Sequence, residues 1–170
     1  MSLKQKSSGS TFKKVVVVRL DHDTESGYLD PVQLGRGETV DLLTIDGEHQ
    51  SIPLTLLKTI HFVRDFDEPF EPARRSFLSR PRQAGLWVHL RFTDGDQIEG
   101  LVPNDLLGLL ERGIQITPPD QNGNNLRLFI PRNALAEFRV LGVVGAAKLP
   151  AASKAPAAAT QGDLFDSREK

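Results

Sequence analysis

The sequence predicts a mainly β protein: two tandem five-stranded small barrels packed together, with short helical turns and disordered termini. Three observations predict it. The chain repeats itself, since residues 15–63 can be laid over residues 88–141. The copies end in matched runs, Ile52-Pro53-Leu54-Thr55-Leu56-Leu57-Lys58-Thr59-Ile60-His61-Phe62-Val63 and Ile130-Pro131-Arg132-Asn133-Ala134-Leu135-Ala136-Glu137-Phe138-Arg139-Val140-Leu141. The apolar runs are short, alternating and rich in β-branched residues, which favours strands over helices. Turn residues separate them, including Asp46-Gly47 and Asp94-Gly95, whose glycines readily take the positive φ of a tight hairpin. A unit of about 50–60 residues buries only about 60% of its unfolded surface, so the two copies are expected to pack against each other.

The elements follow in order. Residues 1–11 are Ser, Lys and Gly with little to bury, and are expected to form a flexible arm. The first barrel is placed at residues 12–65. Its first strand is Val15-Val16-Val17-Val18-Arg19-Leu20, halted by the turn-rich run 21–27, and Tyr28-Leu29 returns as the second. Residues 39–45 make a third strand and 49–52 a fourth. Pro53 lacks an amide hydrogen and ends that ladder, Leu54-Thr55-Leu56-Leu57 fits one helical turn, and 59–63 forms the fifth strand. In the second barrel, placed at 85–144, strands are expected at 86–92, 97–102, 113–117 and 126–130, with a last one after the Ile130-Pro131 turn. A short helix is expected within 104–113 and a hairpin tip at 121–125.

Between the copies, residues 66–84 form a connecting segment preceded and begun by acidic residues (Asp65, Asp67, Glu68, Glu71) and continued by basic ones. It contains Phe66, Phe70 and Phe77. Leaving three phenylalanines exposed would forgo about 1.5–3 kcal/mol each, so the segment is expected to be clamped onto the barrels. Residues 145–170 are expected to be disordered, because Pro150 and Pro156 interrupt any alanine helix of useful length.

A formal net charge of -1 gives no overall warrant for binding nucleic acid. The absence of cysteine excludes disulfides, cysteine-based zinc sites and a thiol nucleophile. No apolar stretch approaches the roughly 18 residues of a membrane span, so a soluble cytoplasmic protein with no membrane partner is expected. His22, His49, His61 and His89 lack metal-ligand spacing, and neither a nucleophile elbow nor a phosphate-binding glycine loop occurs. The reading therefore assigns no catalytic residue, metal or cofactor, and expects a protein that is not an enzyme. The dense cationic run Arg74, Arg75, Arg80 and Arg82, with Phe77 inside it and Trp87 beyond, can neutralise phosphates and stack a base. Pairing with the acidic half of the same segment is the competing expectation.

The order strand, Gly-containing turn, bent strand, hairpin, Ile-Pro turn and final strand, over residues 15–63 and 86–141, resembles the Sm-like and SH3-like small barrels. That resemblance implies self-association into homo-oligomers and nucleic-acid binding. The Asp and Asn loop motif and the Arg-Gly dipeptide of RNA-reading Sm proteins are not found at matching positions. The run RRSFLSRPR resembles the RxxxR of cyclic di-GMP-binding PilZ domains, but Arg75 and Arg80 are one residue too far apart and no [D/N]xSxxG follows.

At the end of the chain, Gln161-Gly162-Asp163-Leu164-Phe165 is similar to the pentapeptide, commonly QL[S/D]LF, by which bacterial polymerases and repair proteins dock on the DNA sliding clamp. Gln161, Asp163, Leu164 and Phe165 match; Gly162 stands where Leu is usual. The resemblance implies a bacterial adaptor whose partner is the sliding clamp. The alternative is a nucleic-acid-binding or nucleotide-sensing module that uses the arginines.

Overall fold

The structure, a computed structural model, describes residues 11–109, 111–120 and 122–145. Residues 1–10 and 146–170, which carry the arm and tail expectations, lie outside the described residues. Among the described residues the chain forms ten strands and one short helix: β1 (Lys13–Arg19), β2 (Thr24–Leu29), β3 (Thr39–Thr44), β4 (His49–Pro53), β5 (Leu57–Val63), β6 (Gly85–Phe92), β7 (Gln97–Val102), α1 (Leu106–Leu109), β8 (Gly113–Ile116), β9 (Asn125–Pro131) and β10 (Leu135–Val144). Single 3-10 turns, Leu54–Leu56 and Arg132–Ala134, follow the two Ile-Pro pairs and precede β5 and β10.

The repeat is reproduced in the strand register. Val15 faces Gly27 between β1 and β2, and Val88 faces Gly100 between β6 and β7. Val17 and Val15 face Ile60 and Phe62, just as Leu90 and Val88 face Phe138 and Val140. Even the irregularity recurs, because the β1–β5 and β6–β10 ladders skip Lys58 and Ala136 respectively. The paired glycines have a physical reason: a Cβ on Gly27 would collide with the Leu43 carbonyl, and one on Gly100 would lie 2.8 Å from Ile116 Cδ1.

All strands are antiparallel, in a seven-stranded sheet of order β4-β3-β2-β1-β5-β9-β8 and a three-stranded sheet of order β10-β6-β7. The mainly β character is as expected; the strands divide seven and three where two packed five-stranded barrels were expected, and no closed barrel is formed among the described residues. The cause is β5. Its apolar alternation leaves one edge needing a partner, and β9 of the second copy supplies it, with Ile60 opposite Phe129 and His61 opposite Leu128. A bridge between Leu101 and Thr117 links the two sheets.

β9 is consequently shared between two cores. Phe129 joins Val15, Val17, Ile60 and Phe62 in the first core, while Leu128 and Ile130 point to the opposite face and join Val88, Leu90 and Ile116 in the second.

Other departures are local. β2 starts at Thr24, earlier than expected, because the reversal is completed within residues 20–23: His22 takes φ 72° and Arg19 N–H donates to the Asp23 carbonyl at 2.9 Å. The helix expected within 104–113 is reduced to α1, since Gly108 weakens it and the chain is back in β8 by Gly113.

The connecting segment is fastened by its three phenylalanines. Phe66 meets Tyr28 edge-on at 5.6 Å, Phe70 meets His61 at 5.0 Å and Phe77 meets Trp87 at 6.3 Å. Asn124 ties down its start: the side-chain carbonyl accepts from Arg64 and Asp65 N–H at 2.9 and 2.8 Å, and the amide donates to the Asp65 and Glu68 carbonyls.

Candidate functional site

The segment that carries the four arginines is held by Glu99 on β7. Glu99 N–H donates to the Arg75 carbonyl at 2.7 Å, and its carboxylate accepts from Phe77 N–H at 3.1 Å and Trp87 Nε1–H at 3.0 Å. Fixing the backbone at Arg75 and Phe77 divides the arginines into two sets. Arg75 is half-exposed and pairs with Asp96 at 3.5 Å and Glu71 at 3.9 Å. Arg80 Nη2 donates to the Val143 carbonyl at 2.7 Å. Arg74 and Arg82 are exposed, and among the described residues their side chains make no ion pair. Arg74, Arg80 and Arg82 line one open groove of about 380 Å³ with Phe77, Leu78 and Pro119. Three of the four predicted cations therefore share a surface concavity, and Arg75 is engaged by Asp96 and Glu71.

Asp96 belongs to a polar junction between the two copies. Lys58 occupies the skipped position of β5, is buried, and its ammonium donates to Asp94 and to Asp96, the latter at 2.6 Å, in the β6–β7 turn. The same ammonium lies 5.2 Å from the Phe92 ring centroid. Burial works to lower the Lys58 pKa, but hydrogen bonds and charge from both aspartates outweigh it and the net shift is upward. Burial likewise works to raise Asp94, yet Lys58 holds it below the usual carboxylate value; for Asp96 the Lys58 hydrogen bond is the leading cause of a downward shift.

Beside this cluster, His61 is buried with Nε2 2.8 Å from Thr59 Oγ1 and Nδ1 2.6 Å from Asn125 Nδ2. Asn125 Nδ2 also donates to the Phe70 carbonyl at 2.9 Å. The Asn125 amide nitrogen is a donor, and its hydrogen bond to Nδ1 suits a neutral imidazole. Burial lowers its pKa to about 4; a hydrogen bond with the Phe70 backbone opposes this, and the cations Arg75 and Lys58 add to it.

Lys58→Met is expected to lower stability by about 2 kcal/mol, since both aspartates lose their shared donor but remain partly in contact with water. Urea denaturation measures this, and the loss should shrink when Asp94 and Asp96 are also changed to Asn. An unchanged midpoint in Lys58→Met would show that the junction is not held by these charges.

Sequence reasoning missed this junction. Asp94-Gly95-Asp96 reads as a turn, and Lys58 as one polar position in an alternating strand. The available signal was the repeat itself, where Lys58 stands opposite Ala136 at a position that otherwise needs no charge. The other predicted site, Gln161, Asp163, Leu164 and Phe165, lies outside the described residues. Among the described residues no group of three or more His, Cys, Asp or Glu is placed to hold a metal ion, and no helix is long and apolar enough to cross a membrane.

No curated protein and no solved structure matches the chain. One family model does, over residues 11–142, a span that takes in all ten strands and the arginine segment except the last two residues of β10. On that match the chain belongs to DUF6982, a family of unknown function.

Proposed function

We propose that this protein is a non-enzymatic bacterial adaptor of the cytoplasm, whose two SH3-like or Sm-like small-barrel units form one body that offers a C-terminal peptide to the DNA sliding clamp. The strand order supports the small-barrel part. Each copy runs last strand, first, second, third, fourth: β5-β1-β2-β3-β4, and β10-β6-β7 continued through the Leu101–Thr117 bridge to β8-β9. The observation that carries the docking part is the peptide Gln161-Gly162-Asp163-Leu164-Phe165 itself, placed beyond β10 near the end of the chain.

Two apolar anchors, Leu164 and Phe165, supply roughly 3–6 kcal/mol, against about 8 kcal/mol for a micromolar complex, and ordering the peptide subtracts from the total. Binding is therefore expected to be weak. The test is titration of the full chain against purified bacterial sliding clamp, with Leu164→Ala, Phe165→Ala as control. Saturable binding lost in the control supports the reading; no binding up to high micromolar clamp contradicts it.

The groove lined by Arg74, Arg80 and Arg82 favours a second reading, a polyanion-binding module that contacts nucleic-acid phosphates. Under it, Arg74→Ala with Arg82→Ala weakens single-stranded oligonucleotide binding and reduces the salt slope by about 1.4, two contacts at roughly 0.7 each. Affinity and slope equal to those of the parent would reject it.

A further inference from the structure

We propose that β10 is the interface of a two-fold homodimer in which it pairs antiparallel with β10 of a second copy. The internal repeat supplies the control. Ile60, Phe62 and Val63 on β5 correspond to Phe138, Val140 and Leu141 on β10, by sequence and by their matched pairing with β1 and β6. The first three are 0, 2 and 4% exposed, and their counterparts are 38, 47 and 42% exposed. The two strands differ in what lies beside them. β5 has β1 on one edge and β9 on the other, whereas β10 has only β6 among the described strands. An apolar strand that is completed by a neighbour in one copy is left open in the other. A groove of about 340 Å³, lined by Leu109, Ile114, Leu135 and Phe138 among others, runs along the same side.

The occupant can be deduced from what completes β5. There β9 contributes Phe129, Leu128 and Arg127 opposite Ile60, His61 and Phe62. Of the remaining sheet edges, β7 and β8 are bridged to each other at Leu101 and Thr117, which leaves β4, where the matched run places Ser51, Gln50 and His49 at those positions. A polar strand of that kind would cover the apolar residues of β10 without burying apolar surface of its own. β10 is self-complementary instead. An antiparallel two-fold centred on Phe138 sets Leu135 opposite Leu141, Ala136 opposite Val140 and Glu137 opposite Arg139 of the other copy, with the two Phe138 residues facing each other. Apolar positions meet apolar ones, and Glu137, already paired with Arg91 and Arg139 of its own copy, meets Arg139 of the other without like charges opposed. The irregularity at Ala136 does not bar pairing, since β5 carries the same one at Lys58 and still pairs with β9 from Ile60 onward.

The test uses the full chain. Sedimentation velocity over a wide concentration range should show a reversible monomer–dimer equilibrium, and Val140→Lys should weaken it roughly tenfold or more while leaving the circular dichroism spectrum unchanged. Because the chain has no cysteine, single substitutions report geometry directly. Phe138→Cys, on the two-fold axis, should oxidise to a disulfide-linked dimer, and Val32→Cys, 62% exposed in the turn between β2 and β3 of the first copy, should not. A monomer at every concentration, as expected if the chain's own C-terminal segment covers β10, overturns the proposal. Assemblies larger than dimers, as head-to-tail pairing with β4 would give, also overturn it, as does equal cross-linking of the two cysteine variants.

Discussion

Phe129→Ala is expected to destabilise the protein by about 3–5 kcal/mol, a large share of the 5–15 kcal/mol that holds a typical domain together. Phe129 is 1% exposed and belongs by sequence to the second copy, yet its ring fills the core of the first. It reaches there because β9 pairs on one edge with β8 and on the other with β5, so alternate side chains enter different cores. The ring also lies against Gly113, where a Cβ would sit 2.7 Å from its Cε2 atom, so the surrounding backbone is shaped to it. Truncation leaves a cavity at the join between the copies and should lower the stability of both together. Chemical denaturation checks this, and a loss below about 1 kcal/mol would mean that the first core closes without Phe129.

The second large effect is on acid stability, through His61. Its folded pKa of about 4 lies below the ordinary value of 6.5, so between those values the unfolded chain binds the proton and the folded protein does not. The sign follows: His61 contributes no penalty above pH 6.5, and stability falls as the pH drops from there to about 4. The full difference is about 3 kcal/mol. Asp94 and Asp96 titrate in a separate window. With folded pKa values lowered, their contribution is intact above the ordinary carboxylate value and is lost only as the pH falls below it. Urea midpoints measured from pH 7 to pH 4.5 should decline steeply in the parent and much less in His61→Gln. Equal slopes would show that His61 accepts its proton without cost in the folded state.

The β character, the repeat and most strands were legible in the sequence because each rests on local information. Val15 to Val18, the Ile-Pro pairs and the Asp-Gly turns report their own backbone preferences, and the repeat reports register, down to Gly27 matching Gly100. What joins the copies was not legible. Nothing local distinguishes β9, which is buried on both edges, from a strand buried on one, and Phe129 aligns with Ser51 in the first copy. The Lys58–Asp94–Asp96 tie and the Asn125–His61 pair unite residues more than thirty positions apart, each ordinary in its own surroundings. The arginine run was found by composition, but only folding separates Arg75, tied to Asp96, from Arg74 and Arg82. For the segment 66–84 the physical reasoning was more direct, since three phenylalanines require cover and each finds an aromatic neighbour.

The two copies are joined through β5 and β9 and are expected to unfold as one cooperative body, not as two barrels on a string. The chain carries a probe for each half, because its one Tyr, Tyr28, lies in the first copy and its one Trp, Trp87, in the second. Equilibrium urea unfolding followed by Tyr28 ring resonances and by Trp87 fluorescence reads the two halves separately. A single shared midpoint is the predicted result. Two resolved midpoints, one for each probe, would contradict it and return the molecule to two independently folding units.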